Sequence, residues 1–157
     1  MRTIQNWLDE YAVSHQNPTN KLVHFVCVPV IFFSVVALLY SIPFSLPVNL
    51  GIVKLNVASI ALILVTLYYL RLSVTLAIGM FLFSLLCLVI SENIVANSSH
   101  DTLALTATVL FVLAWIVQFW GHKVEGKKPS FIKDIQFLMI GPAWIMSFIY
   151  KKIGVAY

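Results

Sequence analysis

Four long apolar runs, parted by short polar segments, constrain this chain more than any other feature. They cover roughly residues 22–39, 57–70, 72–90 and 102–120. About twenty apolar residues in a row is the length an α-helix needs to cross the hydrocarbon core of a bilayer. Within that core every backbone N–H and C=O must find its partner inside the segment, which leaves helices as the form for such runs. The chain is 61% hydrophobic and 10% charged over 157 residues, against about 45–50% apolar and about 25% charged in soluble domains. A soluble domain of this size has too little interior to hide that surface. The expectation is therefore one all-α domain over residues 1–157, a polytopic integral membrane helical bundle with about four transmembrane helices near 20–40, 52–70, 72–90 and 102–121.

Two flanking segments read differently. In residues 1–16, Ile4, Trp7, Leu8 and Tyr11 recur at helical spacing, with Asp9 and Glu10 elsewhere on the wheel. That pattern predicts an amphipathic helix lying in the membrane interface, with Trp7 and Tyr11 at headgroup level. No cleavable signal peptide is expected, because no small-residue cleavage site follows an apolar core there. At the other end, residues 131–150 are apolar but carry Lys133 and Asp134 near their start and are interrupted by Gly141-Pro142. They predict a broken re-entrant or interfacial segment, with a fifth span as the alternative. Residues 41–49, with Pro43 and Pro47, read as a loop. So do the polar residues 91–101, with Asp101 as N-cap of the fourth span.

Charge sets the orientation. Arg2, Lys21, Arg71, Lys123, Lys127, Lys128 and Lys133 fall on one side of a four-span arrangement, joined by Lys151 and Lys152 if the last segment does not cross, and the outer loops hold only Lys54. By the positive-inside bias, the N-terminus and the lysine-rich turn at 123–133 face the cytoplasm. A net charge of +4 thus reads as topology signal and contact with membrane lipids, and not as a nucleic-acid surface. Cys27 and Cys87 lie inside apolar runs with no CxxC partner; they read as small buried hydrophobes.

The chemistry concentrates in two polar knots. The first is His15-Gln-Asn-Pro-Thr-Asn-Lys-Leu-Val-His24, just ahead of and into the first span; the second is Gln118-Phe-Trp-Gly-His122-Lys-Val-Glu125, closing the fourth. Asn17-Pro18 breaks the helix, since Asn caps well and Pro suits the first helical position. The break lets His15 fold back towards Asn20 and His24, which are i, i+4 neighbours. Gln118, His122 and Glu125 share one face of their helix. Topology puts both knots at the same membrane depth. Polar and ionisable groups at that depth are costly, and so are functional candidates. His15, His24 and His122 can supply three imidazole nitrogens to a metal. Glu125 is either a fourth ligand or a group orienting a histidine. Asn17, Asn20 and Gln118 suit hydrogen bonding around the metal or to substrate. Lys127 and Lys128 can attract a lipid headgroup or a carboxylate. Pro29, one turn beyond His24, predicts a kink. His100, on the opposite side, is excluded from the site. No P-loop, GxGxxG, GxSxG or HExxH is present.

These knots resemble the 2-hydroxy-palmitic acid dioxygenase-like family, small polytopic membrane proteins of fungi and bacteria. The early motif H-x-N-P-x-N-x3-H is met by His15, Asn17, Pro18, Asn20 and His24, with Pro29 beyond. The late motif Q-F-x-G-H is met by Gln118, Phe119, Gly121 and His122, with Glu125 and Pro129 beyond. The aromatic that often separates the histidine from the glutamate in that family is absent here. The resemblance implies an Fe(II)-dependent dioxygenase of 2-hydroxy fatty acids that uses O2 and shortens the chain by one carbon with release of CO2, a step of fatty-acid α-oxidation. It implies His15, His24 and His122 as iron ligands and catalytic residues. The setting would be a bacterial inner membrane or the endoplasmic reticulum, and an oligomer is compatible with it. Two other classes stay open on the residues alone: a zinc-dependent membrane lipid hydrolase, and a non-enzymatic membrane lipid- or metal-binding protein.

Overall fold

The computed structural model describes residues 3–49, 54–126 and 131–157, with the backbone alone at 45, 47–49, 54 and 131–136. The elements run α1 (Ile4–Ala12), α2 (Pro18–Ser41), β1 (Ser45–Asn49), β2 (Lys54–Asn56), α3 (Val57–Leu72), α4 (Val74–Asn97), α5 (His100–Glu125) and α6 (Phe131–Ile153). The bundle is all-α apart from the short antiparallel β1–β2 pair. Among the described residues, α2, α4 and α5 are long and apolar enough to cross a membrane. The second expected span, near 52–70, is shorter. Residues 54–56 pair with β1, and Asn56 then caps α3 in a reciprocal box with Ser59. The helix therefore starts at Val57 instead of near 52 and keeps 16 residues.

Caps explain most boundaries. Asn17 accepts a hydrogen bond from the Thr19 N–H, and Pro18 takes the first helical position of α2. Ser73 breaks α3 from α4 and accepts from the Leu76 N–H. Ser99 caps α5, with Asp101 inside the first turn where the cap was expected; the Ser99 hydroxyl already reaches the Thr102 N–H. The expected loop at 91–101 is helical as far as Asn97. Its polar side chains find partners on their own helix: Asn93 donates to the Val89 carbonyl and Asn97 to the Asn93 carbonyl. Polarity alone misread them as loop.

Residues 131–150 also depart from expectation. α6 is continuous through Gly141-Pro142, so the expected break in the helix is absent. Proline removes one helical hydrogen bond. Against that cost stands packing on both sides of it, where Ile140, Ala143, Trp144 and Ile145 are all buried. The Tyr69 hydroxyl also donates to the Met139 carbonyl. A Cβ on Gly141 would stand 3.1 Å from the Tyr11 hydroxyl, so α1 can lie close upon α6. The amphipathic stripe of α1 (Ile4, Leu8, Tyr11) is buried in one cluster with Ile140, Trp144 and Ile145 of α6 and Val28 and Leu76. The protein's own helix thus covers that stripe.

Helix α2 sits at the centre and pairs most extensively with α5. The two run antiparallel: the start of α2 meets the end of α5 at Asn20 and Gly121, and Tyr40 meets His100 at the other end. Lipid tails are as apolar as leucine, so such helices associate through close packing and small residues. Ala37, Ala58, Ala77, Ala107 and Ala143 are fully or almost fully buried. Gly121 is the closest approach that matters for function, because a Cβ there would meet Asn20 Oδ1 at 2.6 Å and Val23 Cγ1 at 3.0 Å.

Candidate metal centre

Three histidines from three elements meet at the α2-start, α5-end pole. His15 lies in the turn between α1 and α2, His24 two turns into α2, and His122 in the last turn of α5. One ring nitrogen from each lies within 4.8 Å of those of the other two. Ring centroids are 4.1 Å apart for His15 and His24, 4.9 Å for His24 and His122, and 5.4 Å for His15 and His122. All three are buried, with exposures of 2%, 0% and 7% in chain order.

The hydrogen bonds dictate which nitrogens are available. His15 Nδ1–H donates to the Tyr11 carbonyl at 2.6 Å, and His24 Nδ1–H to the Asn20 carbonyl at 2.9 Å. Each bond fixes the tautomer and turns an Nε2 lone pair inward. Those two Nε2 atoms, with His122 Nδ1, are buried and have no hydrogen-bond partner. Burial without a partner is costly for such groups. A cation drawn in by all three would remove that cost. Burial, together with the nearby His122 ring, outweighs the Tyr11 carbonyl and holds His15 well below its ordinary value, at about 4. Its imidazole is therefore neutral at physiological pH, the form that binds metals. The donor set fits a borderline first-row divalent ion such as Fe(II) or Zn(II), with coordination positions left for exogenous ligands.

The other sequence-predicted residues divide around this triad. Glu125 is not part of the histidine cluster. Its Oε1 accepts from the Gln16 N–H at 2.9 Å, and its Oε2 from the Asn17 N–H at 2.9 Å and the Asn20 amide at 3.0 Å. Asn17 caps α2. Asn20 is fully buried; its amide also donates to the Ser14 carbonyl at 3.2 Å, and its Oδ1 has no partner. Gln118 is buried one turn from His122 on the same helix face, and its Oε1 also lacks a partner. Lys127 and Lys128 lie outside the described residues.

Sequence reasoning missed the aromatic wall. Tyr11 stacks flat on His15, with centroids 4.1 Å apart and planes at 9°. Trp144 of α6 stands 5.5 Å from the same ring. The signal for Tyr11 was present, since Tyr11 and His15 are four residues apart at a helix end. Nothing near Trp144 in the sequence points to the histidines; only α6 packing brings it there. Gly121, beside a candidate ligand, was visible as part of the late motif but not as the contact that lets α2 reach α5.

The fold and this pole define a membrane-embedded helical bundle with a buried three-histidine pocket fit for a metal. A sequence model for the family described as 2-hydroxy-palmitic acid dioxygenase Mpo1-like matches residues 1–153. The chain is also 30% identical over 155 residues to 2-hydroxy-palmitic acid dioxygenase MPO1 of Saccharomyces cerevisiae, an alignment covering 96% of this chain and 82% of that protein. No solved structure matches. The chain belongs to the Mpo1-like family.

Proposed function

We propose that this protein is an Fe(II)-dependent dioxygenase that converts a 2-hydroxy fatty acid and O2 into the fatty acid one carbon shorter, CO2 and water. The observation that carries the reading is the convergence of three buried imidazole nitrogens with no hydrogen-bond partner, in a family named for that class of reaction. The balance closes without a further reductant: oxidative loss of the carboxyl carbon from a 2-hydroxy acid yields four electrons, and O2 takes up four.

His15, His24 and His122 are the proposed ligands. An Fe(II) ion held there supplies one-electron exchange with O2 and open positions for the substrate's oxygens. The chain's own groups do the rest. The Tyr11 and Asn20 carbonyls hold His15 and His24 in the ligating tautomer. The Gln118 Oε1 offers an acceptor to a substrate hydroxyl, and the positive charges of Lys127 and Lys128, near His122 in sequence, would attract the substrate's carboxylate. Tyr11 and Trp144 wall off one side of His15 and help keep water out. The positive-inside bias supports placing this pole at the cytoplasmic face, in a bacterial inner membrane or the endoplasmic reticulum. The alkyl chain of the substrate would then reach the site from the bilayer.

The test is O2 uptake by anaerobically purified protein loaded with Fe(II) and given 2-hydroxyhexadecanoate, with metal content read on the same sample. Uptake matched by pentadecanoate is expected. Bound iron with neither uptake nor chain shortening would reject the substrate class, and failure to bind iron would reject the site.

A further inference from the structure

We infer that Glu125 is a positioning residue, a carboxylate latch that closes the three-histidine pocket by clamping the α1–α2 turn to the end of α5. The inference rests on the proposed metal site and goes beyond it, because it says what holds the site shut.

Of the three histidines, His24 and His122 are carried by long helices that pack along their length. His15 is carried by a turn. Its backbone is held locally by one hydrogen bond of its own, His15 N–H to the Ala12 carbonyl at 3.0 Å. The strength of that turn therefore sets how well His15 Nε2 is aimed. The turn is fastened from outside by a residue more than a hundred positions away. Glu125 takes the two successive backbone N–H groups of Gln16 and Asn17, one on each oxygen. These flank the His15 peptide on its C-terminal side and open the N-terminus of α2, where backbone donors point at an anion. The third bond, from the Asn20 amide, ties the same carboxylate to the residue whose amide also holds the Ser14 carbonyl and whose backbone carbonyl orients His24. Both sides of His15, residues 14 and 16, are thereby joined through Asn20 and Glu125.

This geometry has a second consequence. Glu125 is the last residue of α5, and Gly126 follows in the left-handed conformation at φ 72°. The latch therefore sits where α5 ends, one turn from His122. Whatever fixes the end of α5 fixes the spacing of His15 and His122 together. Glu125 lies outside the histidine cluster and spends its hydrogen bonds on the turn, so in this role it acts on the metal through His15.

The test is a double-mutant cycle read by Co(II) binding, in detergent-solubilised full-length protein, by the visible absorption of the bound ion. Glu125→Ala is expected to weaken Co(II) binding about 10- to 100-fold, the range for removing a group that orients a ligand. Its Co(II) spectrum should move towards that of His15→Ala. Adding Glu125→Ala to His15→Ala should change the affinity less than about twofold, because the latch has nothing left to aim. Glu125→Gln keeps one carbonyl acceptor and should lie between wild type and Glu125→Ala; it carries the cycle if the alanine variant does not fold. Equal losses from Glu125→Ala in the presence and absence of His15 would overturn the latch. So would unchanged Co(II) binding by either Glu125 variant. Failure of the wild-type protein to bind Co(II) is a different result, which overturns the metal site itself.

Discussion

The two poles of the α2–α5 pair carry similar residue types and do different things with them. At one pole stand His15, His24, His122, Asn20 and Glu125. At the other, Tyr40, Asn56, Glu92 and His100 line a cavity of about 230 Å3. The second pole has resolved its polarity. Tyr40 donates to the Glu92 carboxylate, and Asn56 is spent on capping α3. His100 is exposed and stacks loosely on Tyr40 at 6.4 Å. The first pole has paired its periphery and left its centre bare. Glu125 accepts three hydrogen bonds, while three imidazole nitrogens face one another with no partner. A count of histidines or acids does not separate a site from a cap. Buried capacity that the protein itself leaves unmet does.

That contrast is broken or sharpened by substitution at each pole. The largest effect is expected from His24→Ala and His122→Ala, which should lower Fe(II) content and O2 uptake by more than about 100-fold. His100→Ala should leave both within about twofold. Comparable losses from His100→Ala would erase the distinction between the poles.

Acid should act on the first pole through His15. The unfolded chain takes up a proton on this residue as pH falls through its ordinary 6.5, whereas the folded chain resists until about 4. The stability of the metal-free protein is therefore fully present above 6.5 and declines between 6.5 and 4, by roughly 3 kcal/mol from this group. Unfolding midpoints in detergent across that range would measure it. His15→Gln should flatten the slope, and an unchanged slope would mean that His15 is not the group responsible.

Gly121→Ala tests whether the first pole depends on helix approach. The added Cβ would stand 2.6 Å from Asn20 Oδ1 and 3.0 Å from Val23 Cγ1, so the buried Asn20 side chain must turn away or α2 and α5 must part. The expected cost is about 1–3 kcal/mol, with weakened metal binding. A variant of full stability and full metal affinity would show the close approach to be incidental. The smallest effect belongs to the second pole. Tyr40→Phe removes the hydrogen bond to Glu92 and should cost about 1 kcal/mol with no change in metal affinity; any loss of bound metal would reveal coupling between the poles.

Much of this was legible in the chain. Apolar runs of membrane-crossing length specified an all-α bundle, because a bilayer leaves backbone polar groups no other partners. The Asn17-Pro18 break predicted the turn that carries His15, and alternating spans predicted that the two knots share a pole. Cap chemistry was readable at Asn17 but misjudged at Asp101, where Ser99 competes from two residues upstream. The polar stretch after Ser91 and the Gly141-Pro142 pair were read as breaks because local propensity points that way. Both are helical because tertiary partners outweigh it.

What the sequence determined by itself was periodicity and helix punctuation, since these depend on neighbours within a few positions. What the tertiary structure alone decided was the role of each polar group. Gln16, Asn17 and Asn20 lie more than a hundred residues from Glu125, and Trp144 as far from His15. No local pattern encodes whether a carboxylate meets a metal or a backbone N–H. That choice is made by the packing of α5 on α2, at distances where a shift of one ångström exchanges one partner for another.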